Sequence, residues 1–153
     1  MYSKEEAKRI KEKFWTSFGR FLSLTLNDEG IKVNWINYKT GIRHLFFRMD
    51  ADRAATIYIE IAHPDPGIRA LLFAQFEEYR TLLHQELDEE WVWHEQFVDV
   101  YGKQTARIGI ELPKKISIFR ESDWPELIQF FKPRIIALDR FWNMAKYGFE
   151  VFK

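Results

Sequence analysis

Two runs of alternating side chains constrain this chain more than any other feature. Between Ile42 and Asp50, Leu45, Phe47 and Met49 point one way, and His44, Phe46, Arg48 and Asp50 the other. Between Ala54 and Ala62, Ile57, Ile59 and Ile61 oppose Thr56, Tyr58 and Glu60. A period of two marks a strand with one buried and one wet face. Each such face fixes its register, because a slip of one residue inverts every side chain. Matching the apolar faces sets Leu45 opposite Ile59 and Phe47 opposite Ile57. The polar faces then place His44 opposite Glu60, Phe46 opposite Tyr58 and Arg48 opposite Thr56, with Asp50 at the turn.

The flanking chain supplies further elements. Ser3 and Glu6 form a capping box, and Ala7, Ile10, Phe14, Phe18 and Phe21 then recur at helical spacing as far as Leu22–Leu24. Ile31, Val33 and Trp35 alternate with Lys32, Asn34 and Ile36, which predicts a first strand, and "KTG" places Gly41 where a hairpin wants a left-handed residue. Asp65 and Pro66 start a helix with the stripe Ile68, Leu72, Phe76, Tyr79 and Leu83. Strands are expected from Trp91 to Asp99 and from Thr105 to Leu112, and "ISIF" predicts a short last one. Asp123 and Glu126 box the final helix, which Pro133 should kink or split, and Phe141, Trp142, Ala145 and Phe149 continue its apolar side. The expected fold is one α+β domain over residues 1–153: helix, three-stranded antiparallel meander, helix, two or three strands, and a long kinked C-terminal helix.

Composition narrows the function classes. The 23 basic and 23 acidic residues cancel, so no global field draws nucleic acid or an anionic membrane to the chain. With no cysteine, disulfides, thiol catalysis and cysteine zinc sites are excluded. The first residues carry no apolar signal segment and no run is long enough to cross a membrane, so a cytoplasmic protein is expected.

The order of elements is similar to the core of restriction-endonuclease-like proteins, where an acid on one strand faces a Glu-x-Lys on the next and the two acids share a divalent metal. Glu60 stands at the Glu position, but His44 takes the place of the acid and Ala62 that of the Lys. Magnesium binds oxygens at about 2.1 Å and prefers them to imidazole, so the catalytic motif is missing and no metal or cofactor is expected. His44 with Glu60 remains readable as an acid–base dyad or as a plain cross-strand pair. His63 reads as a turn partner before Asp65, and His84 as solvated. His44, Phe46, Arg48, Tyr58 and Glu60 share the outer face of the sheet, a mixture that suits protein recognition or base stacking. That face is either open or covered by the last helix.

The segments "EKFWTSFGRFLS", "VNWINYKTGIRHLFFRMDADRAATIYIEIAHPD" and "FFKPRIIALDRFW" resemble a bacterial family catalogued as domain of unknown function 4268, over nearly the whole chain. The resemblance implies a bacterial protein without an assigned reaction or catalytic residues. Relatives fused to nuclease-like domains imply a nucleic-acid or defence context. The expected function is a non-catalytic binding or interaction module, with a protein partner, a second copy or a nucleic acid as ligand. The alternative is a divergent metal-dependent nuclease or hydrolase centred on Glu60.

Overall fold

The computed structural model describes residues 2–153. Its elements are α1 (Lys4–Leu22), β1 (Leu45–Asp50), β2 (Thr56–Ile61), α2 (Pro66–Glu78), α3 (Arg80–Leu87), β3 (Val92–Val98), β4 (Gln104–Glu111) and α4 (Trp124–Ala145). Short 3-10 turns precede and follow α4, at Glu121–Asp123 and Lys146–Phe152. The α+β class therefore stands. The four strands form one antiparallel sheet in the order β1-β2-β4-β3, so β4 inserts beside β2 and leaves β1 and β3 as the edges.

The helices pack on one face of this sheet. Phe47, Ile57, Ile59, Ile61, Ala106 and Ile108 line that face and are buried. Trp142 of α4 meets Phe47 edge-on at 5.8 Å, and Phe76 of α2 stacks on Phe141 and Trp142. Phe18 of α1 lies 6.2 Å from Phe131 of α4. Phe14, Trp35, Phe47, Ile59, Phe76 and Phe141 thus share a single core, as their spacing predicts. Phe21 does not join it: it is exposed at the end of α1, with Lys132 over its ring at 4.8 Å.

Several expectations fail, each for a local reason. The predicted first strand at Ile31–Ile36 does not form; one isolated bridge, Leu26 to Lys32, is all that remains of it. Asparagine side chains hold turns at both ends of the segment instead: Asn27 Oδ1 accepts from the N–H groups of Glu29 and Ile31, and Asn34 Oδ1 from Asn37. Trp35 is buried, but its indole N–H is tied to the Thr25 carbonyl at 3.0 Å in a loop rather than a sheet. Gly41 does take a left-handed φ of 83°, inside that loop. With the first strand missing, the order of elements that suggested a restriction-endonuclease-like core is not formed.

The expected single helix after Pro66 breaks at Tyr79, whose backbone leaves helical values (φ −101°, ψ 13°). Its ring packs against Phe141 and Phe149, so tertiary contact overrides the helical period. "ISIF" forms no strand, although Ile116 and Ile118 are buried. The capping box of α4 is not made. Asp123 instead accepts from the Ser117 N–H at 2.9 Å and pairs with Arg120, while Glu126 pairs with Lys114. Pro133 does not split α4, which runs unbroken from Trp124 to Ala145.

Candidate functional site

Among the described residues no helix lies on the outer face of the sheet. α4 lies on the opposite side, against Phe47 and its row, so the alternative of a covered face falls. Two cross-strand rows build the site. The first runs Phe46, Glu60, Arg107, His94 from β1 to β3; the second runs Arg48, Tyr58, Gly109, Val92.

This register differs by two residues from the expected one. Leu45 pairs with Ile61, Phe46 with Glu60, Arg48 with Tyr58 and Asp50 with Thr56. A two-residue shift keeps every side chain on its predicted face. Its cause is the turn. Ala51 and Ala55 are both buried, which draws the whole Ala51–Ala55 segment into the connection, and Asp50 Oδ1 holds the Asp52 N–H at 2.8 Å. Asp50 is thereby the last residue of β1, not part of the turn.

His44 leaves the site. It precedes β1 with φ 64°, its carbonyl accepts from the Ala62 N–H, and its ring lies 5.0 Å from that of His63. It does not face Glu60, so the acid–base dyad is absent. His63 is a turn partner as expected, its Nδ1 accepting from the Asp65 N–H at 3.0 Å. His84 is partly buried rather than solvated, with Nε2 against the Trp93 indole N–H.

Phe46, Arg48, Tyr58 and Glu60 do come together, around two residues from β3 and β4 that the sequence did not single out. Glu60 is only 8 % exposed and Tyr58 7 %, while Arg48 and His94 at the edges of the same face are exposed. The Glu60 Oε1 accepts from Arg48 Nε at 2.8 Å, and its Oε2 lies 3.9 Å from Arg107 Nη2. The Arg107 guanidinium sits between the Tyr58 ring at 3.8 Å and the Phe97 ring at 3.9 Å. Arg48 lies over Phe46 at 4.1 Å. Stacking of this kind is favourable electrostatically and positions a planar cation. Arg107 Nε is buried without a hydrogen-bond partner among the described residues, where the stack and Glu60 hold the group. Burial raises the Tyr58 phenol above its ordinary value, Arg107 opposing this and Glu60 adding to it.

The bulge in β3 between His94 and Phe97 turns the Phe97 ring onto Arg107. Gly109 has no side chain to displace Tyr58 from the sheet. Arg107 was legible as an outer-face residue from the alternation of Ala106, Ile108 and Ile110. Its neighbour was not, because the β2–β4 pairing spans a long crossover.

Both Glu60 oxygens face guanidinium groups. Among the described residues no three His, Asp or Glu side chains converge as a metal site. Around the face lies an open groove of about 690 Å³, walled by Arg48, Arg53, Lys103 and Arg107 together with Asp50, Asp52, Glu60, Asp99 and Glu111. At its end Val98, Val100 and Tyr101 are exposed, Tyr101 at 91 %. Among the described residues no helix is long and apolar enough to cross a membrane.

No curated protein and no solved structure matches the chain. The model of the family described as Domain of unknown function (DUF4268) matches residues 10–146, most of its length. That span holds every residue of the outer face, from Phe46 to Arg107, and by it the chain belongs to the DUF4268 family.

Proposed function

We propose that this chain is a non-catalytic interaction module and that its partner across the outer sheet face is a second copy of itself. The observation that carries this reading is Arg107, stacked between Tyr58 and Phe97 over Glu60 on a sheet face without a helix. Aromatic side chains and arginine are the residues enriched at the energetic centres of protein interfaces. Exposed Val92, Val98, Val100 and Tyr101 extend the face with apolar surface.

Charge favours a protein over a nucleic acid, and a copy of the same face over an unrelated one. The groove sets four cations against five carboxylates, so it offers no field to a polyanion. A twofold contact brings a surface onto itself, and a face carrying both signs is complementary to itself under that operation. The nuclease alternative has less support, since Glu60 is engaged by Arg48 and Arg107.

Light scattering tests the proposal. The parent should show a concentration-dependent rise toward twice the monomer mass. Val98→Ser with Tyr101→Ser, both exposed and outside the core, should hold the chain as a monomer. A monomer at all concentrations, or a dimer indifferent to these substitutions, rejects it. Magnesium-dependent cleavage of DNA lost in Glu60→Gln would establish the nuclease instead.

A further inference from the structure

The other side of β1 offers a different surface, independent of the dimer reading. Among the described residues β1 pairs with β2 alone, and beyond Leu45, whose outward N–H and carbonyl are taken by the Ile42 carbonyl and the Thr40 hydroxyl, its second edge is open. The ladder fixes which groups that edge presents. The His44 carbonyl accepts from Ala62, which turns the backbone groups of Phe46, Arg48 and Asp50 toward β2 and those of Phe47 and Met49 outward. Among the described residues no hydrogen bond, from backbone or side chain, reaches the outward groups of Phe47 and Met49.

An open edge normally invites aggregation and is blunted by a charge, a bulge or a covering segment. Here a wall stands opposite it without pairing. The segment Ile36–Lys39 runs along β1 and leaves a hollow of about 580 Å³ between them, lined on the β1 side by Phe46, Phe47, Arg48 and Met49. The wall is anchored from beneath. Tyr38 stacks on Phe47 at 5.1 Å and donates to the carboxylate of buried Asp139 on α4. A second hollow of about 760 Å³ continues the first past Trp15, Ile36 and Asn37 along α1.

The rim of this double groove is basic, although the chain as a whole is neutral. Lys11 is paired with Asp52, and Arg48 with Glu60. Lys4, Lys8, Lys39 and Arg53 have no acidic partner among the described residues, and Glu12 is the one carboxylate of the lining left unpaired. Lys4, Lys8 and Lys11 recur at helical spacing and so line one side of α1.

We infer that this groove receives an extended, acidic peptide segment of a partner protein, which adds to β1 as a fifth strand. The outward N–H and C=O groups of Phe47 and Met49 supply the ladder, and the lysines and Arg53 select for acidic side chains. A nucleic acid would satisfy the cations but not the alternating donors and acceptors of a strand edge. The expected but unformed strand at Ile31–Ile36 agrees with a vacant strand position, since that segment is held elsewhere by Asn27 and Asn34.

A fluorescein-labelled peptide of alternating valine and glutamate, about seven residues long to span the six-residue β1 at ~3.3 Å per residue, is the probe. Its anisotropy should rise on titration with the full chain, and the valine–lysine counterpart should bind at least tenfold more weakly. Met49→Pro removes one outward N–H at an edge position, where proline is tolerated, and should weaken binding at least tenfold with secondary structure unchanged by circular dichroism. Lys8→Glu with Lys39→Glu should weaken it similarly, which keeps a test in hand should the proline variant not fold. Absence of binding, equal affinity for both peptides, or displacement of the glutamate peptide by a single-stranded oligonucleotide at equal concentration would overturn the inference.

Discussion

Gly109 lies directly across the ladder from Tyr58, and a Cβ at Gly109 would stand 2.5 Å from the Tyr58 Cβ and 2.7 Å from the Ile57 carbonyl oxygen. The second neighbour is backbone and cannot swing aside. The absent side chain therefore lets Tyr58 lie close enough for Arg107 to stack on it. Gly109→Ala should destabilise the fold by ~1–3 kcal/mol, the range for overpacking, read as a lower urea midpoint. An unchanged midpoint would show that the sheet relaxes around the methyl group.

The Arg107 stack predicts energetic coupling. Arg107→Lys keeps the charge but loses the planar surface shared by Tyr58 and Phe97. It should cost about 0.5–2 kcal/mol, the range of a partly desolvated cation–π contact. In a double-mutant cycle with Phe97→Ala the two losses should fail to add by at least ~0.5 kcal/mol. Additivity would mean that the rings and the guanidinium are neighbours without being partners.

Asp139 gives a prediction about pH. Burial at 2 % exposure raises its carboxyl above the ordinary value of 3.8, and the hydrogen bond from Tyr38 only partly offsets this. For a group whose folded value is raised, protonation favours the fold. That contribution is fully present below the unfolded value and fades as pH rises through the folded one. At neutral pH the buried charge is therefore a liability. Asp139→Asn keeps an acceptor for Tyr38 and removes the charge, so its stability relative to the parent should improve between pH 4 and pH 7. Chemical denaturation at the two pH values checks this, and a constant difference contradicts it.

Glu60 separates an anchoring role from a catalytic one. Glu60→Ala would leave the half-buried Arg107, with its buried Nε, without a carboxylate or another acceptor, at a cost of ~1–3 kcal/mol for the unsatisfied group. Glu60→Gln, which retains an acceptor oxygen, should lose clearly less. Equal losses in the two variants would show that charge, not hydrogen bonding, holds the pair of arginines.

How far these features were legible in the sequence depends on their range. The faces of β1 and β2 were readable because period-two alternation is local, and a two-residue error in register left Phe46, Arg48, Tyr58 and Glu60 on their predicted side. The register itself depended on Ala51 and Ala55 entering the core, which no local pattern announces. The strand expected at Ile31–Ile36 failed because Asn27 and Asn34 bind their own backbone, a competition visible in the residue types but not in the hydropathy. His44 was misplaced by its left-handed backbone, a conformation uncommon for residues other than glycine. Arg107 and Phe97 entered the site through a crossover and a bulge, both decided by tertiary structure.

Hydroxyl-radical labelling as a function of protein concentration tests the proposed contact most directly, because it reads the surface residue by residue. Tyr101 borders the outer face and is 91 % exposed; Tyr147, beyond α4 on the helical side, is 69 % exposed. If copies associate through the outer face, labelling of Tyr101 should fall as concentration rises while that of Tyr147 stays constant. Constant labelling of Tyr101, or protection of Tyr147 in its place, would contradict the account.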